Sequence, residues 1–168
     1  MEPVVYVLVY SADIGDRMEN ENANSEQNEP LTEDLLERIS LARELEAVIE
    51  GDSFVKRSFA EVLQEFAREK GLSQAEIARR SGLSYNHVYY LFRGDRGVSR
   101  DKALALAFAL GLSVRETGRL LQAAGVNGLY AKDRRDAILI FCLDHSYTLG
   151  QTEEELFRFN EPTLGEGN

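Results

Sequence analysis

The sequence contains little of several residue types that mark particular classes of protein. It has no tryptophan, three prolines, two histidines and one cysteine, Cys142. A single cysteine cannot form a disulfide within the chain, which argues against a disulfide-stabilised secreted fold and leads us to expect a reduced, cytoplasmic setting. Because proline is scarce and Leu, Ala, Glu and Arg recur at helical spacing, we expect an all-α fold.

Motifs for membrane insertion and for catalysis are lacking as well. The apolar run at Pro3–Tyr10 is much shorter than the about 20 residues of a membrane-spanning helix, and it has neither the basic flank nor the cleavage site of a signal peptide. The sequence contains no GxxxxGK[ST] phosphate-binding loop and no GxSxG nucleophile elbow. We therefore expect no enzyme, no catalytic residue and no cofactor.

A metal site is not expected either. Cys142 and His145 lie three residues apart in a predicted helix, so one ion could reach both side chains. Only His87 remains as a further soft ligand, whereas a structural zinc ion takes about four protein ligands. Cys142 is therefore predicted to be a buried core residue.

Charge is distributed unevenly along the chain, whose net charge is −10. Residues 1–55 contain 3 basic and 14 acidic side chains, residues 56–102 contain 10 basic and 6 acidic ones, and residues 103–168 contain 6 basic and 9 acidic ones. The middle segment thus has a net charge of +4 in an acidic protein. Since a polyanionic ligand responds to the local field, the middle segment is compatible with nucleic-acid binding.

Composition and periodicity divide the chain into five segments. Residues 1–30 are expected to be a flexible acidic arm, either a solvated tail or a competitor of DNA, with a short strand at 3–10 or no order there. Residues 31–51 have the apolar stripe of an amphipathic helix. We expect a helix-turn-helix domain at 52–125, a C-terminal helical extension at 126–160 and a loose tail at 161–168.

Helix boundaries are predicted from capping residues. Asp52 is expected to begin a helix that ends near Lys70, and Ser73–Glu76 and Ser113–Glu116 match the capping box, in which both side chains bind backbone amides. The helix at 134–145 is apolar nearly all round in its centre and is expected to be largely buried. Further helices are expected to begin at Ser84, Ser99, Asp133 and Thr148.

Residues 74–92 carry the features of two short helices joined by a tight turn. Ala78 is a small residue where the two backbones must approach each other. Gly82 tolerates the positive φ that the turn requires. Apolar anchors toward the rest of the domain are supplied by Ile77, Leu83, Val88 and Leu91.

This pattern resembles the helix-turn-helix of the Cro and lambda-repressor family, also called the xenobiotic-response-element family. Gln74, Ala78, Gly82 and Val88 match its opening glutamine, small residue, turn glycine and buried β-branched residue. The segment 93–99 is similar to the family's exit from the recognition helix, except that Val98 stands where many members have proline. The resemblance covers about Phe59–Ala124 and implies a lambda-repressor-like five-helix domain, here with an N-terminal arm and helix and two extra C-terminal helices.

The second of the two short helices offers a polar surface. With Val88 inward and about 100° of rotation per residue, the helix places Ser84, Leu91 and Phe92 inward, Asn86, Tyr90 and Arg93 nearly opposite, and Tyr85, His87 and Tyr89 at the flanks. The resemblance implies base contacts at Tyr85, Asn86, Tyr89 and Tyr90, and phosphate contacts at Gln74 and near Arg93. Further phosphate candidates are Ser84, which is first of all a cap, and Arg79, Arg80, Arg96, Arg100 and Lys102.

The sequence therefore predicts a sequence-specific regulator of transcription that binds double-stranded DNA as a homodimer. Dimers of this kind read two half-sites, which one recognition helix cannot do. The alternative is a protein-binding module, such as an antitoxin-like or adaptor protein, that keeps the fold and uses its three exposed tyrosines as an interface. The sequence specifies neither the operator nor a small-molecule inducer.

Overall fold

The computed structural model describes residues 39–41 and 57–165. Ile39–Leu41 are helical, whereas the rest of the helix predicted at 31–51 and the arm predicted at 1–30 lie outside the described residues. The chain divides into two compact units, 1–53 and 54–168. Over 57–165 the structure has helices and no strand, which confirms the predicted all-α fold.

Seven helices follow one another in the second unit. They are α1 (Phe59–Glu69), α2 (Gln74–Ser81), α3 (Tyr85–Arg93), α4 (Arg100–Leu110), α5 (Val114–Ala123), α6 (Arg134–Asp144) and α7 (Leu149–Arg158). The first five are the helices of the predicted DNA-binding domain, and the last two are its C-terminal extension.

The first helix begins later than predicted. Arg57 and Ser58 are not helical, and Ser58 rather than Asp52 is the cap of α1. The Ser58 hydroxyl accepts from the Glu61 amide at 3.3 Å, and the Glu61 carboxylate accepts from the Ser58 amide at 2.7 Å. This complete capping box satisfies two backbone donors, and it explains why the helix starts there. Asp52 itself lies outside the described residues.

Of the two predicted capping boxes, one is complete. At Ser113 the hydroxyl accepts from the Glu116 amide and the Glu116 carboxylate accepts from the Ser113 amide, at 3.2 and 2.6 Å. At Ser73 the hydroxyl accepts from the Glu76 amide, but the Glu76 carboxylate turns to Arg80, at 2.6 Å. The prediction of a reciprocal box at Ser73–Glu76 was therefore wrong, because a nearby cation competes for its carboxylate.

Helix α4 is the centre of the packing. Every residue from Ala103 to Leu110 is buried. Leu106 and Leu110 belong to a core that α4 shares with α1, α2 and α3. Leu104 and Phe108 belong to a second core that α4 shares with α6 and α7. The sequence predicts instead that the helix at 134–145 is the one that is largely buried. The structure corrects this, because α6 buries one side and leaves Phe141 49% exposed on the other.

The tail predicted to be loose at 161–168 is held in place through residue 165. Leu164 is buried, and its amide and that of Gly165 donate to the Glu153 carboxylate at 2.9 and 3.1 Å. Arg135 also donates to the carbonyl of Pro162 at 2.8 Å. The prediction failed because tertiary partners far along the chain fix this short segment.

Two crossed ion pairs join the extension to the first five helices. Arg100 donates to both carboxylate oxygens of Asp136, at 2.9 and 2.8 Å, and the neighbouring Asp101 pairs with Arg135 at 2.9 Å. Asp136 also accepts from the Tyr130 amide at 2.9 Å and is only 7% exposed. The first turns of α4 and α6 are thereby fixed against each other.

The turn glycine provides a test of backbone strain. Gly82 has φ +69°, and a Cβ there would meet nothing within 4 Å, so Gly82→Ala should lower the free energy of unfolding by about 1–2 kcal/mol through the left-handed backbone alone. Gly118 lies inside α5, where a Cβ would also meet nothing within 4 Å and the φ is not positive. Because alanine is favoured over glycine inside a helix, Gly118→Ala should raise the free energy of unfolding by about 0.5–1 kcal/mol. Urea unfolding of both variants measures this. If both variants changed the free energy of unfolding by the same amount and in the same direction, the left-handed backbone at Gly82 would not be the cause of the loss.

The crossed pairs provide a second test. Asp136→Ala should lower the free energy of unfolding by about 3–5 kcal/mol, because it removes the buried carboxylate that pairs with Arg100 and leaves the Tyr130 amide without its acceptor. Arg158→Ala breaks the more exposed ion pair between Arg158 and Glu155, and it should lower the free energy of unfolding by less than about 1 kcal/mol. Thermal and urea unfolding measure both. A cost for Asp136→Ala as small as that of the control would show that the pair does not hold the extension.

Candidate nucleic-acid interface

The turn between α2 and α3 is built as the sequence predicts. Gly82 has the left-handed backbone that ends α2, and Ala78 is buried. The buried Ser81 hydroxyl donates to the Ala78 carbonyl at 3.3 Å and accepts from the Leu83 amide at 3.4 Å. These contacts fix the angle at which α3 leaves the turn.

Helix α3 is anchored along one face and at both ends. Val88 and Leu91 are fully buried, and Phe92 is nearly so. At its end, the Gln64 side chain of α1 donates to the Phe92 carbonyl at 2.6 Å. Sequence reasoning missed Gln64, since a partner 28 residues away leaves no local signal. The rotation of α3 about its own axis is consequently fixed.

The start of α3 shows why Ser84 was misplaced on the helical wheel. Ser84 precedes the helix as its cap, is exposed, and accepts from the His87 amide at 3.2 Å. A wheel applies only to residues inside a helix, so the predicted inward position of Ser84 was wrong, whereas its predicted role as the cap is correct.

Four side chains on α3 face solvent together. Tyr85, Tyr89 and Tyr90 are 53%, 38% and 39% exposed, and Asn86 is exposed as well. The rings of Tyr89 and Tyr90 meet edge to face, with centroids 5.6 Å apart. We refer to these four residues as the α3 quartet. All four were predicted from the sequence as residues that contact DNA bases.

Two arginines are held against the tyrosines of the α3 quartet. Arg93 donates to the Tyr89 hydroxyl at 3.2 Å, lies 5.6 Å from its ring centroid and pairs with Asp95 at 2.8 Å. Arg96 lies 5.0 Å from the ring centroid of Tyr90. Both arginines are exposed. The pairing was not predicted, although the spacing of four residues between Tyr89 and Arg93 is a recognisable signal.

The other predicted phosphate contacts differ in their surroundings. Gln74 is half-buried at the first position of α2. Arg79 and Arg80 are exposed, and both lie near the Glu76 carboxylate, at 3.6 and 2.6 Å. Arg100 does not suit the predicted role, because its guanidinium is occupied by Asp136 and by the backbone carbonyls of residues 127 and 128.

His87 is the histidine of α3. It is half-buried, and its Nε2 atom is buried without a hydrogen-bond partner among the described residues. Burial lowers the pKa of His87 below its ordinary value, and the cations of Lys102 and Arg96 lower it further. The imidazole is therefore neutral in the folded protein near neutral pH.

The comparison with known families agrees with this geometry. A helix-turn-helix family model matches residues 63–116, from within α1 to the first turn of α5. Those residues form a helix-turn-helix domain of the Cro and lambda-repressor type, which is a family of DNA-binding domains. No curated protein and no solved structure matches the chain. In the described parts of the chain, no helix has the length and apolar character needed to span a membrane.

The pKa of His87 leads to a pH test. Unfolded His87 takes up a proton near pH 6.5, and the folded residue does so only at lower pH, so the unfolded state binds more protons in between. The free energy of unfolding should therefore fall from about pH 7.5 to about pH 5.5, and His87→Gln should reduce that fall.

Urea unfolding at the two pH values measures this effect. The other histidine, His145, stacks on Phe141 at the surface, and His145→Gln is the matched control for loss of an imidazole. If the free energy of unfolding fell by the same amount between the two pH values in His87→Gln and in the parent, burial of His87 would not control its protonation.

Proposed function

We propose that this chain is a sequence-specific regulator of transcription that inserts α3 into the major groove of double-stranded DNA. The observation that carries the proposal is the α3 quartet, in which three tyrosines and an asparagine face solvent on a helix whose opposite side is buried. The helix-turn-helix family of residues 63–116 supports it. The major groove is about 12 Å wide and admits one α-helix.

Each member of the α3 quartet suits a particular contact. Asn86 has the donor and acceptor pair that binds the N6 and N7 atoms of adenine. Tyr85, Tyr89 and Tyr90 can contact thymine methyl groups through their rings or phosphates through their hydroxyls. We propose that these four residues read the base sequence.

Phosphate contacts would set the position of α3 in the groove. We propose Gln74, Ser84, Arg93 and Arg96 for this role. Arg93 and Arg96 are supported by tyrosine rings, so their guanidinium groups lose less freedom when they meet a phosphate. Their location at the end of α3 and in the loop behind it is suited to contacts along one strand of the backbone.

We further propose that the protein binds as a homodimer. One α3 reads only a few base pairs, and related dimers place two such helices about 34 Å apart on one side of the duplex. The helix predicted at 31–51 and the extension with α6 and α7 are the candidates for the contact between copies. Both contain exposed apolar side chains, Leu41 in the first and Phe141 in the second.

The rival function, a protein-binding module, is motivated by the same tyrosines. Tyrosine is enriched at protein interfaces, and the chain as a whole is acidic. The two functions are separated by a gel-shift assay with fragments of the native genome at low and moderate salt. Absence of salt-sensitive binding to any duplex, together with a stable protein partner in a pull-down, would favour the rival.

Base reading is tested with Asn86→Ala on a site selected from those fragments. Affinity for the selected site should fall by about 1–3 kcal/mol, and base preference should relax at one position, because one bidentate adenine contact is lost. Affinity for random DNA should stay the same. Fluorescence anisotropy with a panel of single-base variants of the site measures all three quantities.

Phosphate positioning is tested with Arg96→Ala. Binding to the selected site and to random DNA should weaken equally, and the slope of log affinity against log salt should become shallower by about one unit. Arg115→Ala removes an exposed arginine from α5, outside both the proposed DNA interface and the helices proposed for the dimer contact, and should leave both quantities as in the parent. If Asn86→Ala and Arg96→Ala both bound the selected site and random DNA like the parent, the proposed interface would be wrong.

A further inference from the structure

A groove of about 600 Å³ lies away from the α3 quartet. It is bordered by the end of α2, by the connection between α4 and α5, and by the connection between α6 and α7. This volume falls within the about 300–1,000 Å³ of typical small-molecule sites. Its walls thus come from the helix-turn-helix and from the C-terminal extension.

The floor of the groove is apolar. Phe108, Leu112 and Leu143 line it and are buried. Tyr147 forms a wall, and its ring meets the rings of Phe141 and His145 edge to face, at centroid distances of 6.0 and 6.4 Å. A flat apolar body would find packing partners on two sides here.

The rim of the groove is positively charged. Arg79 and Arg80 line it, and none of the groove's lining residues is acidic. The ion pairs of these two arginines in the described structure share one carboxylate, that of Glu76. Two cations against one anion leave an excess of positive charge, and Arg79 is 73% exposed and free to turn toward a ligand.

We propose that this groove binds a small organic carboxylate with a flat apolar body. The carboxylate would lie between Arg79 and Arg80, whose guanidinium groups match its two oxygens. The body would lie against Leu112 and Tyr147. A neutral apolar molecule would leave the arginines unused, and inorganic phosphate would leave the apolar floor exposed to water. The charge and the floor together therefore favour an aromatic carboxylic acid.

The proposal is tested on the full chain by NMR, with benzoate, phenylacetate and indole-3-acetate as probes and their neutral amides as matched controls. At least one of the three acids should shift the backbone amide signals of groove residues, among them Gly111, Ser146 and Gly150. The corresponding neutral amide should bind at least about tenfold more weakly, which is about 1.4 kcal/mol. The titration contains no DNA, so its result is independent of the proposed function.

Two variants identify the groups that bind. The double variant Arg79→Gln, Arg80→Gln should weaken acid binding at least about tenfold, whereas Arg158→Gln on α7 should not change it. Both changes are at exposed positions, and the dispersion of the NMR spectrum shows directly that each variant is folded. The proposal is overturned if no acid shifts the groove signals, if the amides bind as well as the acids, or if the double variant binds like the parent.

Discussion

The burial of Val88 and Leu91 is the constraint on which the rest of the surface depends. Once these two side chains are in the core, a helix period of about 3.6 residues leaves Tyr85, Asn86, Tyr89 and Tyr90 no place except solvent. The left-handed backbone at Gly82 sets the direction of α3, and burial sets its rotation. A rotation of α3 that hid the quartet would have to expose two fully buried side chains, which costs several kcal/mol, about 1.5–3 for each.

The same rigidity extends behind α3 through α4. Helix α4 follows α3 after a short loop, and its first turn is tied to α6 by the Arg100–Asp136 and Asp101–Arg135 pairs. Apolar side chains of α4 then pack into both cores. The C-terminal extension is thus part of the support of the helix-turn-helix. This arrangement explains why Arg100, a predicted phosphate contact in the basic segment, has its guanidinium bound within the fold.

Local signals in the sequence were sufficient for most of the helices, for the turn and for the outward face of α3. Gly82, Ser84 and Val88 each act within a few residues, so their roles are visible without a structure. Several features that escaped prediction depend on partners distant in sequence. Gln64 reaches the end of α3 from another helix, and the segment at 161–165 is held by Glu153 and Arg135. The apolar sequence of α6 indicated burial, yet α4 is the helix that lies between the two cores. Periodicity alone could not show this, because it does not say which of several apolar helices is packed between the others.

The distribution of carboxylates around the basic groups explains how an acidic chain can present a cationic surface. Arg93 pairs with Asp95, and Arg79 and Arg80 share Glu76, so several cations near α3 are already held by an anion. Arg96 differs, because its described contact is the face of the Tyr90 ring, which leaves its charge uncompensated at short range. A phosphate that met Arg93 would have to compete with Asp95, whereas one that met Arg96 would not. The uncompensated positive charge at the end of α3 is therefore concentrated at Arg96, and of the two arginines proposed to contact phosphates we expect Arg96 to contribute more to DNA affinity.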